Sequence, residues 1–533
     1  MQISASTADS PQSVSNLDLR DRAALFTGLQ SETFDLLVIG GGITGAGIAR
    51  DAAMRGLRVA LLEAQDFASG TSSRSSKMIH GGLRYLIKGD IAVVRESVSE
   101  RETLHHIAPH LARKMPYIVG TRHRLEQFIM RVALTVYERL GRVAASDRHQ
   151  RWSREQLRAN EPTLAAENYY AAVVYPEYLT DDARLTLANI RSAYAHRAQV
   201  ANYCKVVGVA HEEHFTVNCQ AQLPGENHTF SIGARAVVNA AGPWVDAVAQ
   251  LENPAQPKRL ALSRGIHLVV EHVKLPVLHT VVMASADGRR VFAVPVGDFT
   301  YLGTTDDFYP DTEYWPPVTT ADISYLLAIT AGYFPENLLV PADIVSAWSG
   351  IRPLVAEGEG VAAKELSRKD EVWHGTLGMW SVGGGKLSAY RAMAERLVDK
   401  LVAAEHFDAS PCKTHQERLP GGGALTAPLT AVPEQLLQRL QSLYGSEAEI
   451  VLSMGGDLEA EVTFAVRCEG ALRLEDYWAR RSSRAWFEHA GGVASLRPAA
   501  AIMARLLDWD EARQALEIAH CEAIDAHSRQ EFS

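Results

Sequence analysis

The residues with the most legible chemistry are three glycines and an acid. Gly40, Gly42 and Gly45 spell G-x-G-x-x-G directly after an apolar run at 34–39, and Glu63 stands 18 residues beyond the last of them. In this spacing the first glycine permits a tight turn, the second lets backbone approach a diphosphate, and the third lets helix pack on strand. The diphosphate then rests on free N–H groups at the positive end of a helix dipole. An acid about 20 residues on is suited to a ribose hydroxyl. The glycines alone match many turns. Their meaning here comes from order: strand, glycines, helix, a C-cap at Gly56, a second strand at 57–62, then Glu63. The reading is a dinucleotide site; the alternative is a βαβ unit that binds nothing.

Other chemistry-bearing residues lie downstream. Residues 69–76 are a run of hydroxyls that cannot build a core, followed by Lys77 and His80. They read as a solvated loop or as a polar wrap around a cofactor's oxygens. Residues 236–239 form a buried strand running into Ala240, Ala241 and Gly242, which suits a strand end where backbone meets ligand. Glycines return at 383–385, ahead of Lys386. That segment is not a phosphate loop, because Leu387 stands where the motif needs Ser or Thr.

The elements that must position these residues fill a long chain. At 533 residues it exceeds one core and predicts two or three domains. Its 47% hydrophobic and 22% charged content is that of a soluble globular protein. A net charge of −10 argues against a nucleic-acid partner. Five scattered cysteines without C-x-x-C predict neither a disulfide frame nor a metal site. Residues 1–33 read as a flexible leader, with a short helix at 17–29, and no apolar run is long enough to span a membrane. Helices are expected at 90–112, 181–197, 323–331 and 390–404.

The segment 125–143 is more unusual, with Phe128, Ile129, Val132, Val136, Tyr137 and Leu140 at helical spacing among arginines. Such a helix lies flat in a bilayer interface or packs on the core, and periodicity by itself favours the core. Short strands at 206–209, 215–222 and 229–232 precede alternating strands from 266 to 306, which predict an antiparallel second domain. From about residue 418 the pattern is helical (433–443, 458–468, 476–487, 499–507, 511–527), with Asp508 and Glu511 reading as a capping box.

Six segments in order, HGGLRYL at 80–86, TDDARLTLAN at 180–189, VNAAGPWV at 238–245, LGTTD at 302–306, SGIRPL at 349–354 and GGKLSAYR at 384–391, together resemble the FAD-dependent glycerol-3-phosphate dehydrogenases. LPGG at 419–422 marks the junction to the C-terminal helices. The resemblance implies an α/β fold with a Rossmann-like FAD-binding domain (34–110, 176–260 and 340–405), an antiparallel-sheet substrate domain (111–175 and 261–339) and an all-helical C-terminal domain (406–533). It implies oxidation of glycerol 3-phosphate to dihydroxyacetone phosphate, with electrons passed to a quinone from the inner face of the cell membrane, where the protein would sit peripherally from the cytoplasm. A homodimer stays open.

The same resemblance supplies roles. Thr71, Ser72, Ser73, Lys77, His80, Gly81, Gly82, Gly242, Gly384, Gly385, Lys386 and Leu387 join Gly40, Gly42, Gly45 and Glu63 as cofactor residues. Arg84, Tyr85, Arg352, Arg368 and Lys386 would receive the substrate, because a phosphate dianion needs cations and guanidinium offers bidentate bonds. His267 would take the proton of the secondary hydroxyl, with Arg352 and Lys386 completing the catalytic set. Gly383, Ser388, Ala389 and Ile266 depart from the family pattern near this pocket. Rival readings are an oxygen-using glycerol-3-phosphate oxidase, an FAD amine or amino-acid oxidase, and a flavin-holding sensor without turnover.

Overall fold

The computed structural model describes residues 16–80, 91–141, 143–356, 370–424 and 432–532. Its first sheet grows from the apolar run that precedes the glycines. Thr33–Ile39 pairs in parallel with Val59–Leu62 on one side and with Thr229–Asn239 on the other. Gln199–Ala201 and Trp380–Gly383 extend the parallel set outward, and Glu371–His374 closes one edge antiparallel. The helices Ile43–Met54, Asp182–Ala195 and Tyr390–Glu405 cover one face, packing Ala46, Ile48 and Leu397 on Leu36 and Val38. Leu37 and Ile39 point to the other face, which is covered by the hairpin strands Cys204–His211 and Phe215–Ala221. Strands buried on both faces are the expected reason for unbroken apolar runs such as 36–39.

The expected strands at 229–232 and 236–239 are one continuous element. The half beginning at Thr229 pairs antiparallel with the hairpin, and the half ending at Asn239 pairs parallel with Thr33–Ile39. Gly233 and Ala234 serve both partners, so no break was needed.

The second sheet is mixed rather than antiparallel throughout. Leu260–Glu271, Phe299–Gly303, Arg290–Val296 and Thr280–Ala284 run antiparallel in turn, and Thr280–Ala284 then pairs in parallel with Arg113–Thr121. Arg113–Thr121 pairs antiparallel with Ala171–Leu179, which carries the two-residue strand Met78–Ile79. Ile344–Val355, which the sequence groups with the nucleotide-binding segments, pairs along its length with Leu260–Glu271 in this sheet. That register brings Arg352 and His267 onto one wall.

Residues 16–31 belong to the packed body rather than to a flexible leader. Leu17, Leu19, Phe26 and Leu29 are buried, and the Leu17 N–H donates to Cys468 O. Residues 1–15 lie outside the described residues.

The C-terminal region is helical, as expected. Asp476–Arg481 winds as a π-helix, and the next helix, Arg484–Phe487, is separate. The final helix Glu511–Arg529 is capped by Asp510, whose side chain accepts from Arg513 N–H, whereas Asp508 sits at φ 54° as the C-cap of the preceding helix. The capping box expected at Asp508 is therefore displaced, since Asp510 is the residue placed to reach the first turn. Arg480 and Arg481 both reach back to Asp66, just beyond the second strand of the dinucleotide unit.

Candidate active site

A cavity of about 750 Å³ lies between the carboxyl ends of the parallel strands and the second sheet. In open α/β sheets this is where ligands enter. Gly40 adopts φ 112°, a conformation costly for any side chain. A Cβ on Gly45 would meet the Gly40 carbonyl, so the third glycine sets the closeness of helix to strand. Gly42 caps Ile43–Met54 without a side chain of its own. The helix N-terminus therefore faces the cavity with its N–H groups, one of which, from Ile43, is met by Ser72 Oγ at 2.9 Å. Glu63 accepts from Gly41 N–H at 2.7 Å and Gln65 N–H at 2.9 Å. Burial nevertheless holds its carboxyl above the usual range. This donor set fits a dinucleotide: backbone amides at a helix terminus for the diphosphate and a carboxyl for the ribose.

The hydroxyl run 69–76 forms the cavity's inner wall. Thr71 donates to Ile351 O at 2.5 Å, joining the wrap to the second sheet. Lys77 lies behind the wall, donating to Asp182 Oδ1 at 2.6 Å and to Ser73 O at 3.1 Å. Its charge braces the wrap against the Asp182–Ala195 helix. Of the other residues singled out in the sequence, Gly40, Gly42, Glu63, Thr71, Ser72, His80 and Gly242 line the cavity, as do Arg352, Gly384, Gly385, Lys386 and Leu387. Gly45, Ser73 and Lys77 support it from outside. Arg84, Tyr85, Gly81, Gly82 and Arg368 lie outside the described residues. The helix expected at 390–404 runs from Tyr390 to Glu405, preceded by a 3-10 turn at Leu387–Ala389.

Two paired strands of the second sheet carry Arg352 and His267. Arg352 spreads over Asp306 Oδ1 at 3.0 Å, Thr304 Oγ1 at 2.8 Å and Thr305 O at 3.2 Å. A Cβ on Gly265 would collide with this guanidinium, so a glycine across the ladder is what leaves room for it. His267 is buried and stacks on Trp348, with ring centroids 4.7 Å apart and planes at 14°. Its Nε2 lies 2.9 Å from Ser76 Oγ, while Nδ1 has no partner among the described residues. Burial, then the charges of Arg352 and Lys77, push the imidazole well below its ordinary pKa, so it is neutral near pH 7. Gly303 makes space for it, since a Cβ there would overlap the ring.

Sequence reasoning passed over Ser76, Gly265, Gly303, Arg74, Trp244 and Tyr314. Gly303 and Trp244 fall inside quoted motifs, and Ser76 and Arg74 inside the hydroxyl run, so a signal existed for four of them. Gly265 becomes meaningful only once the Arg352 guanidinium is known to lie over it. Tyr314 stacks on Trp244 at 4.4 Å to cover the cavity, a contact between segments 70 residues apart.

The family described as "FAD dependent oxidoreductase" matches residues 35–397, and the "C-terminal domain of alpha-glycerophosphate oxidase" matches residues 412–514. An aerobic glycerol-3-phosphate dehydrogenase of Staphylococcus aureus (strain USA300) is 35% identical over 525 residues, covering 91% of this chain and 93% of that protein. The crystal structure of the glycerol-3-phosphate dehydrogenase from Bacillus halodurans, complexed with FAD, is 31% identical with a TM-score of 0.79, covering 96% of this chain and 98% of that one. The fold alone is shared with the FAD-bound L-alpha-glycerophosphate oxidase of Mycoplasma pneumoniae (19% identity, TM-score 0.57, 73% of this chain and 99% of that one). With the glycine turn, the acid and the cationic wall already in one cavity, these matches establish that the chain belongs to the FAD-dependent glycerol-3-phosphate dehydrogenase and oxidase family.

Proposed function

We propose that the protein oxidises sn-glycerol 3-phosphate to dihydroxyacetone phosphate and passes the electrons to a quinone at a membrane surface. The observation that carries the reaction is a cavity wall holding Arg352 and Ser76, with the neutral imidazole of His267 directly behind the serine. Arg352, on the cavity wall, binds the phosphate, exchanging part of its hold on Asp306 and Thr304 for phosphate oxygens. A planar fork suits that ester better than an ammonium would. Arg84, Tyr85 and Arg368 would serve the same phosphate in this reading.

The secondary hydroxyl must lose a proton as its C–H hydrogen leaves with two electrons. His267 takes that proton through Ser76: the Ser76 hydroxyl gives its hydrogen to Nε2 and receives the substrate's. A neutral imidazole is the form able to accept it. Lys386 supports the negative charge that develops on oxygen. FAD, when bound, accepts the hydride and returns its two electrons to the acceptor. The chain's contribution is orientation, charge and the exclusion of water.

The quinone reading rests on the helix Arg124–Leu140. Leu125, Phe128, Ile129, Val132 and Val136 form one exposed stripe, with Phe128 66% exposed, while the opposite side buries Leu134 and Tyr137. Of the six residues read at helical spacing, Tyr137 and Leu140 pack on the core as expected, whereas Phe128, Ile129, Val132 and Val136 stand exposed. The buried side was set by Leu134, Tyr137, Gln127 and Glu138, one turn-face away. Arg124, Arg131 and Arg139 are exposed beside the stripe. An apolar stripe edged with arginines inserts at an anionic bilayer interface. No helix among the described residues is long and apolar enough to cross a membrane.

Anaerobic addition of glycerol 3-phosphate should bleach the flavin, and quinone should then restore its colour without oxygen. A flavin that stays yellow removes the substrate assignment. Reoxidation by oxygen with peroxide release, and none by quinone, would replace the dehydrogenase reading with an oxidase.

A further inference from the structure

Arg74 has no task in the reaction described above. It follows the 3-10 turn Thr71–Ser73, lines the cavity, and is 4% exposed. Its guanidinium carbon lies 3.9 Å from the centroid of Trp315. Nε is buried with no partner, and none of the described residues accepts a hydrogen bond from this guanidinium. The other deeply buried arginines are matched: Arg101 with Glu177, Arg191 with Glu447, Arg480 and Arg481 with Asp66. Arg50 is held by Ser192 Oγ and two carbonyls. Burial pushes the Arg74 guanidinium down to about 9, against the pull of Glu475. An unmatched cation in such a place is costly to the fold unless an anion arrives.

Its position in the cavity identifies the anion. Arg74 rests on Trp315, whose neighbour Tyr314 stacks on Trp244, and Tyr314, Trp244, Arg74 and Glu63 all line the cavity. The charges acting on His267 are those of Arg352 and Lys77. Ser72, two residues before Arg74, meets the N-terminus of Ile43–Met54, the terminus that would receive a diphosphate. Trp315 and Tyr314 arrive from the second sheet's side, and Trp244 donates to Thr312 O at 2.9 Å to fix that segment. The arginine is thus anchored from one domain while rooted in the cofactor turn of the other.

We propose that Arg74 binds the diphosphate of FAD, with the face of Trp315 holding the guanidinium in place. Helix amides supply partial charges; Arg74 supplies a full one. The shared chemistry is a phosphate oxygen, and the substrate ester is the other possible source.

The test uses full-length apoprotein rebound with FAD, followed by flavin fluorescence, with ADP and adenosine as competitors. Arg74→Met, which keeps the apolar stem on Trp315, should weaken FAD and ADP by about 10- to 100-fold, the loss expected for a charged hydrogen bond. Adenosine, which lacks phosphates, should compete as before. Arg74→Lys should weaken FAD a few-fold, and both should leave the KM for glycerol 3-phosphate at saturating FAD unchanged. An FAD affinity within twofold of wild type in Arg74→Met overturns the assignment. So does an equal loss for adenosine, which marks a packing defect. A raised KM with intact FAD binding gives the arginine to the substrate's phosphate and likewise overturns it. Should the Met variant not fold, Arg74→Lys decides: unchanged FAD and ADP affinity counts against the proposal.

Discussion

The imidazole of His267 lies in the plane-parallel shadow of Trp348, with Nε2 2.9 Å from the hydroxyl of Ser76. Ser76 lines the cavity and His267 does not. In the proposed reaction the histidine therefore acts on the alcohol through the serine. Both His267→Asn and Ser76→Ala should slow anaerobic flavin reduction by roughly a hundredfold or more, within the range of general-base losses. Stopped-flow absorbance checks this, and a near-normal rate in Ser76→Ala would mean direct proton transfer.

The same burial sets a pH dependence. The folded pKa of His267 lies well below its ordinary value of 6.5. Neutral imidazole then persists in the native state below pH 6.5, and flavin reduction should show no acid limb at 6.5 from this group. Stability behaves oppositely. Below pH 6.5 the unfolded chain binds a proton that the native site refuses, so stability falls as pH drops, by up to about 1.4 kcal/mol per pH unit. Denaturant melts of wild type and His267→Asn between pH 5 and 8 should diverge, with the variant less acid-sensitive.

Arg352 stands opposite Ser263 in the ladder, and its guanidinium reaches diagonally over Gly265. Arg352→Ala should raise the KM for glycerol 3-phosphate by about 10- to 100-fold with flavin content unchanged. Gly265→Ala should move KM in the same direction, because its Cβ would displace the guanidinium. Steady-state kinetics beside flavin absorbance separate this from a folding defect. An unaltered KM in both would take the phosphate away from Arg352.

The exposed stripe gives a prediction free of folding cost. Phe128→Asp with Ile129→Asp should abolish binding to anionic vesicles while leaving the melting temperature within a few degrees, since both side chains stand in solvent. Persisting vesicle binding would locate the membrane contact elsewhere.

Asp66 joins the nucleotide-binding and C-terminal regions. Its carboxylate accepts from Arg480 Nε at 2.5 Å and from Arg481 Nη2 at 2.9 Å, with all three side chains buried. The π-helix lets two consecutive arginines converge on one acid. Arg481→Met leaves Asp66 short of a partner and should destabilise the protein by about 3–5 kcal/mol. A loss below 1 kcal/mol in urea melts would show the latch to be dispensable.

The sequence by itself determined the dinucleotide unit, because its parts are local: a strand, a turn that only glycine tolerates, a helix and an acid within 30 residues. It also carried the site's motif residues, since Arg352, Lys386 and His80 lie in short segments that could be matched in order. Tertiary structure alone decided what meets what. Gly265 gains meaning from the Arg352 guanidinium over it, Ser76 from His267, and Arg74 from having no hydrogen-bond acceptor among the described residues; none of these relations has a spacing. The outer face of Arg124–Leu140 was likewise undecidable from periodicity, because apolar residues occur on both of its sides and only the packed neighbours show which side is covered. Local rules act within a few residues, whereas burial and pairing depend on segments a hundred or more residues away.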